Sequence, residues 1–212
     1  MPSPPEQHYT NFKFIYENNI WGNNDDKNYK GSSGAGSQLK EALPYVCFLR
    51  GWLIGKDIKS VVDVGCGDLR HFYPLYHGTD IEYTGLDIYE DIIVAHNKVP
   101  QYKNPKWKFH IMNCYAQRAD LPSADVLILK DVLQHWTDEE VKTFLDFATR
   151  TEKYKHILIV NCIGNPEATL DTPGRWRGLD ETHFLLKPYN LFPIFTYNTK
   201  RCLLWSAAKD QS

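Results

Sequence analysis

A doubly wound α/β domain, its mostly parallel sheet ending in an antiparallel hairpin, is the fold this sequence predicts, and three observations predict it. The apolar run Ser60 to Val64 is too short for a helix and ends in two glycines one residue apart, Gly65 and Gly67, as a buried strand does when its tip turns tightly beneath a ligand. A second run, Tyr83-Thr84-Gly85-Leu86-Asp87-Ile88, carries a carboxylate near its end, at about the twenty-residue spacing that places an acid on a ribose in such domains. Helical and strand-like patterns then alternate as far as Asn161, the signature of a sheet covered on both faces.

Residues 1–9 are proline-rich and polar and read as a frayed arm. From Tyr9 to Trp21, the positions of Phe12, Phe14, Ile15, Tyr16, Ile20 and Trp21 suggest a short amphipathic helix. Gly22 to Ser37 has almost nothing to bury, and a loop of that length in a compact domain is either a linker or a lid. Gln38 to Ile54 reads as a helix with an irregularity at Pro44, Val61 to Val64 as the first strand, and Leu69 to Leu75 as the helix under the glycine loop. Tyr83 to Asp87 is the second strand, Asp91 to Lys98 a helix, and Lys106 to Met112 a strand that alternates Trp107, Phe109 and Ile111. Val126 to Leu129 is a buried strand, and Thr137 to Thr149 a helix that opens on Thr137 with Glu140 three residues on, a capping box. His156 to Asn161 is the fifth strand. Prolines at 166, 173, 188 and 193 break any period through the tail, until Phe195 to Tyr197 and Arg201 to Trp205 form a hairpin around Asn198-Thr199-Lys200.

With 212 residues, 42% hydrophobic and 24% charged, the chain has material for one core. A formal net charge of -2 and no long basic block count against a nucleic-acid partner. No stretch reaches the roughly 18 apolar residues of a membrane span, and the start, Met1-Pro2-Ser3-Pro4-Pro5-Glu6, has no signal architecture. A cytoplasmic protein without a membrane partner is expected. Five cysteines stand singly at Cys47, Cys66, Cys114, Cys162 and Cys202, a spacing for neither a zinc site nor a disulfide framework. No metal is expected, and the thiols read as reduced.

The glycines and Asp87 together point to an adenosine ligand. A dinucleotide fold needs a third glycine three residues after the second, to bring the pyrophosphate onto the helix, and Arg70 stands there. The mononucleotide pattern Gly-x-x-x-x-Gly-Lys-Ser/Thr is absent from the chain. S-adenosylmethionine, which has no phosphate, remains.

The chain here resembles the class I S-adenosylmethionine-dependent methyltransferases. Val61-Val62-Asp63-Val64-Gly65-Cys66-Gly67-Asp68 looks like their first motif, Thr84-Gly85-Leu86-Asp87-Ile88 like the second, and Ala124 to His135 like the strand-four motif. More narrowly, it is similar to a group of small methyltransferases with an N-terminal Trp-Gly, here Trp21-Gly22, and a Ser-Gly-x-Gly-Ser segment, here Ser33 to Ser37. That group also has Asp-x-Leu-x-His after strand four, here Asp131 to His135, and Trp-Arg-x-Leu, here Trp176 to Leu179. The resemblance implies a Rossmann-like fold with an N-terminal helical lid, an arm and lid over residues 1–37, and a methyltransferase domain over 38–212. Where relatives often have an acid after strand three, this chain has Asn113-Cys114, and the Asn amide still offers hydrogen bonds to a base edge.

The cofactor set implied is Trp21, Ser37, Asp63, Gly65, Cys66, Gly67, Asp68, Asp87, Ile88, Asn113, Cys114 and Lys130. Asp87 would accept the ribose hydroxyls, Asp63 and Asp68 would hold the methionine ammonium, and Trp21 would stack on the sulfonium or adenine. His135 suits a base near neutrality, with Asp131, four residues earlier, orienting it or binding the acceptor. Arg175, Trp176 and Arg177 are the acceptor candidates, the arginines as a phosphate clamp. The expected reaction is O-methylation of a small polar acceptor, a sugar or nucleotide-linked sugar. Methylation of a protein or RNA, or a non-catalytic cofactor-binding subunit, are the alternatives, and a homodimer is compatible with the sequence.

Overall fold

The structure, a computed structural model, describes residues 5–24 and 28–207. Seven strands form one sheet, β1 (Ser60–Val64), β2 (Glu82–Asp87), β3 (Trp107–Ile111), β4 (Ala124–Lys130), β5 (Tyr154–Cys162), β6 (Phe192–Tyr197) and β7 (Lys200–Ser206), in the order β3-β2-β1-β4-β5-β7-β6. The first five are parallel, while β7 runs antiparallel between β5 and β6. Strand order reverses at β1 and β4, which opens a crevice beyond their carboxyl ends.

The parallel strands are apolar on successive residues because both faces are covered. Val61, Val126, Ile128 and Leu158 pack with α2 (Leu39–Gly55), α3 (Phe72–Tyr76) and α4 (Glu90–His96). Their neighbours Val62, Leu127, Leu129 and Ile159 face the other way, onto Val141, Phe144 and Leu145 of α5 (Asp138–Arg150). The α5 capping box forms as its sequence predicts, Thr137 N–H donating to Glu140 Oε2 at 2.8 Å and Glu140 N–H to Thr137 Oγ1 at 3.3 Å.

Three expectations change. The first helix, α1, spans Pro5–Glu17, so residues 5–9 are helical rather than an arm, and residues 1–4 lie outside the described chain. Residues 28–37 pack down as a strap, with Ser32 and Ser37 buried, and 25–27 lie outside the described residues. The helix after the glycine loop begins at Phe72, not Leu69, because Leu69 takes a positive φ of 53°. No helix among the described residues is long and apolar enough to cross a membrane, and all five cysteines are free thiols.

Candidate functional site

A cavity of about 410 Å³ lies at the carboxyl ends of β1, β2 and β4, with α1 and the strap along its other side. Its floor is the glycine loop. Gly65 and Gly67 take φ of 67° and 61°, and a Cβ on Gly65 would come within 2.6 Å of a Val132 methyl, so glycine is required by both conformation and space. The Gly65 and Cys66 amides donate to the Leu86 carbonyl at 2.8 and 3.0 Å, which ties the loop to β2. His96 Nε2 donates to the Gly67 carbonyl at 2.7 Å.

Asp87 faces the cavity with each oxygen accepting one backbone amide, Gly67 N–H at 2.9 Å and Tyr89 N–H at 2.9 Å. Each keeps a lone pair for a ligand hydroxyl. Burial raises its carboxyl above the usual range, against those amides. Asp63 is half-buried at the start of the loop and accepts the Tyr83 hydroxyl at 2.7 Å. Burial pushes its carboxyl up to about 7, opposed by Tyr83 and the Lys130 charge, so an incoming ammonium would find an acid ready to ionise.

His135 sits across the cavity under Trp21, ring centroids 4.7 Å apart. Burial lowers its pKa, partly offset by the Arg175 carbonyl, to which Nδ1 donates at 2.8 Å. Asp131 does not orient this ring. The segment after β4 is not an α-helix: Asp131 has φ 58° and Leu133–His135 is a 3-10 turn, so the i, i+4 helical pairing of the two side chains is not made. Asp131 pairs instead with Lys130 at 2.7 Å and with Lys200. Burial works to raise its carboxyl, and the two ammonium groups hold it well below the usual range.

Of the residues predicted from sequence, Trp21, Ser37, Asp63, Gly65, Cys66, Gly67, Asp87, Ile88, Asn113, Cys114, Lys130, Asp131, His135 and Trp176 line this one cavity. Three do not. Asp68 turns to the strap, its Oδ2 accepting the Ser33 amide at 3.1 Å and the Ser37 hydroxyl at 3.1 Å and pairing with Arg70 at 3.1 Å, so this oxygen is committed within the fold. Arg177 is 2% exposed, paired with Asp138 and donating to the Trp136 carbonyl at 3.0 Å, which removes it from a phosphate clamp. Arg175 contributes its backbone carbonyl, and its side chain is exposed. Lining residues that sequence reasoning passed over include His8, Phe12 and Tyr16 on α1, Gln134, and Lys200 at the start of β7. Only the aromatic spacing of α1 carried a signal for any of them.

Sheet order, glycine loop and Asp87 define the Rossmann-like fold of S-adenosylmethionine-dependent methyltransferases. Residues 61–154 match the family model of a methyltransferase domain. No curated protein matches the chain by sequence. Among solved structures, the S-adenosylmethionine-dependent methyltransferase SibL is 15% identical with a TM-score of 0.58, covering 78% of this chain and 55% of its own. An O-methyltransferase family protein from Burkholderia thailandensis is 13% identical with a TM-score of 0.62, over 78% of this chain and 56% of that one. The N-terminal domain of EvdMO1 is 14% identical with a TM-score of 0.59, over 84% and 85%. At these identities the likeness is one of fold, and the chain spans little over half the length of the first two.

Proposed function

We propose that the protein methylates a hydroxyl of a small acceptor, with His135 as the general base. The observation that carries this is the His135 ring itself: its Nδ1 is committed to the Arg175 carbonyl, which leaves Nε2 as the basic nitrogen at a cavity whose far wall is the cofactor loop. When bound, S-adenosylmethionine supplies a sulfonium methyl group that needs an electron pair placed in line with it. Asp87 would hold the ribose, Asp63 the ammonium, and Ile88, Asn113 and Cys114 the base. Gly65, Cys66, Gly67, Ser37 and Lys130 would shape the methionine end.

Acceptor size is limited by α1 and the strap, which cover the cavity and favour a small molecule over a protein or RNA chain. Trp176, half exposed at the mouth, offers an aromatic face to a sugar or other ring. The EvdMO1 domain is described with S-adenosylhomocysteine and D-fucose, and D-fucose therefore belongs among the sugars to be tried. A nucleotide-linked sugar loses support, because Arg177 is committed to Asp138. His135→Ala should bind S-adenosylmethionine as wild type does in calorimetry and lose about a hundredfold or more in turnover. Unchanged turnover would sink the assignment.

A further inference from the structure

Gln134, next to the proposed base, has both ends of its amide accounted for. Its Oε1 accepts the Cys162 N–H at 2.9 Å, and since a backbone N–H only donates, that bond fixes which end is oxygen. The NH2 end therefore faces Nε2 of His135, at 3.3 Å. Across the ring, the Arg175 carbonyl only accepts, so Nδ1 at 2.8 Å carries the ring proton. Two fixed partners leave one arrangement: a neutral imidazole, protonated on Nδ1, with its Nε2 lone pair covered by the Gln134 amide. Both side chains are buried and line the cavity.

We propose that Gln134 is a positioning residue that holds His135 in its basic tautomer, and that an acceptor enters by putting its own O–H donor on Nε2 in place of the Gln134 N–H. The proposal rests on the His135 reading above and narrows the acceptor to groups that bring a proton, alcohols or phenols. A carboxylate presents only lone pairs and would meet a lone pair at Nε2. In the reaction, the acceptor O–H proton passes to Nε2, leaving an imidazolium protonated on both nitrogens, and the oxygen uses the electron pair it keeps to form the O–CH3 bond as the S–CH3 bond of the sulfonium breaks, that bond's electrons staying on the sulfur of departing S-adenosylhomocysteine. The charged groups facing the ring are Asp131 at the end of β4 and Lys200 at the start of β7, with opposite effects on it.

Gln134→Glu keeps an oxygen for the Cys162 N–H and replaces the donor with an acceptor. In protein labelled with 15N at histidine, His135 signals being assigned by their loss in His135→Gln, the wild-type ring should be neutral and protonated on Nδ1 near neutral pH. In Gln134→Glu its pKa should rise by about one unit or more, since a carboxylate in hydrogen-bond reach favours the charged ring. A wild-type ring protonated on Nε2 overturns the proposal without any variant having to fold, as does an unchanged titration in Gln134→Glu. In a screen at saturating S-adenosylmethionine, sugars and phenols should be methylated and simple carboxylic acids not; methylation of the acids alone overturns the acceptor class. Turnover retained in His135→Ala would overturn the base assignment and leave these spectra as they are, so the two failures are separable.

Discussion

Asp63 shows what one half-buried acid does in such a loop. Its carboxyl titrates at about 7 in the fold, against about 3.9 for an unfolded aspartate. Between those values the folded chain holds a proton that the unfolded chain has lost, so stability falls across that window as pH rises and levels off above it. Asp63→Asn removes the dependence. Without cofactor, its thermal midpoint should exceed that of wild type by a margin that grows from about pH 4 to about pH 7 and then stays constant, read by scanning calorimetry. Its affinity for S-adenosylmethionine should fall roughly tenfold or more, because a hydrogen bond between charged groups contributes about 1.5–3 kcal/mol. A margin that does not change with pH would show that Asp63 ionises freely. The carboxylate at Asp63 was legible in the sequence from its place before the glycines; its high pKa was not, since that comes from the desolvation the folded sheet imposes, against the lowering effect of Tyr83 and Lys130 from other strands.

Elements with a strong period were the legible ones. Every strand and the capped helix α5 fall within a few residues of their predicted spans, because covered strands and an amphipathic helix write their burial into spacing alone. Where a residue with a side chain takes a positive φ, the pattern fails: α3 starts late at Phe72 after Leu69, and Asp131 leaves the helical region beside two lysines. Lys200 read as a hairpin turn residue, and only the insertion of β7 beside β5 carries its ammonium to Asp131. The tail, which had no period, is held by other means. Its chain crosses itself at Gly164 and Gly178, where a Cβ on Gly178 would lie 2.3 Å from the Gly164 Cα. Gly178→Ala should therefore cost about 1–3 kcal/mol in chemical denaturation, the range for forcing atoms into filled space. A loss within experimental error would mean that the crossing can separate.

For the whole molecule, cofactor and fold should be linked through the cavity. S-adenosylhomocysteine at a hundred times its dissociation constant should stabilise the native state by about 2.7 kcal/mol. For a chain of 212 residues that is a rise in midpoint of about 5–10 °C by scanning fluorimetry, and no rise would count against the pocket. The sheet has a further consequence, in the order of synthesis. β7 follows the other six strands in the chain, yet it lies inside the sheet, between β5 and β6. Until Ser206 has emerged, β5 has an open edge along an almost wholly buried strand, the kind of edge that templates pairing with other chains. The same interval leaves Asp131 without Lys200. Ribosome-bound chains stopped short of β7 would carry the cofactor loop complete, beside a site and a sheet edge that are not, which makes the emergence of β7 the moment when the sheet loses its exposed edge and the site gains Lys200.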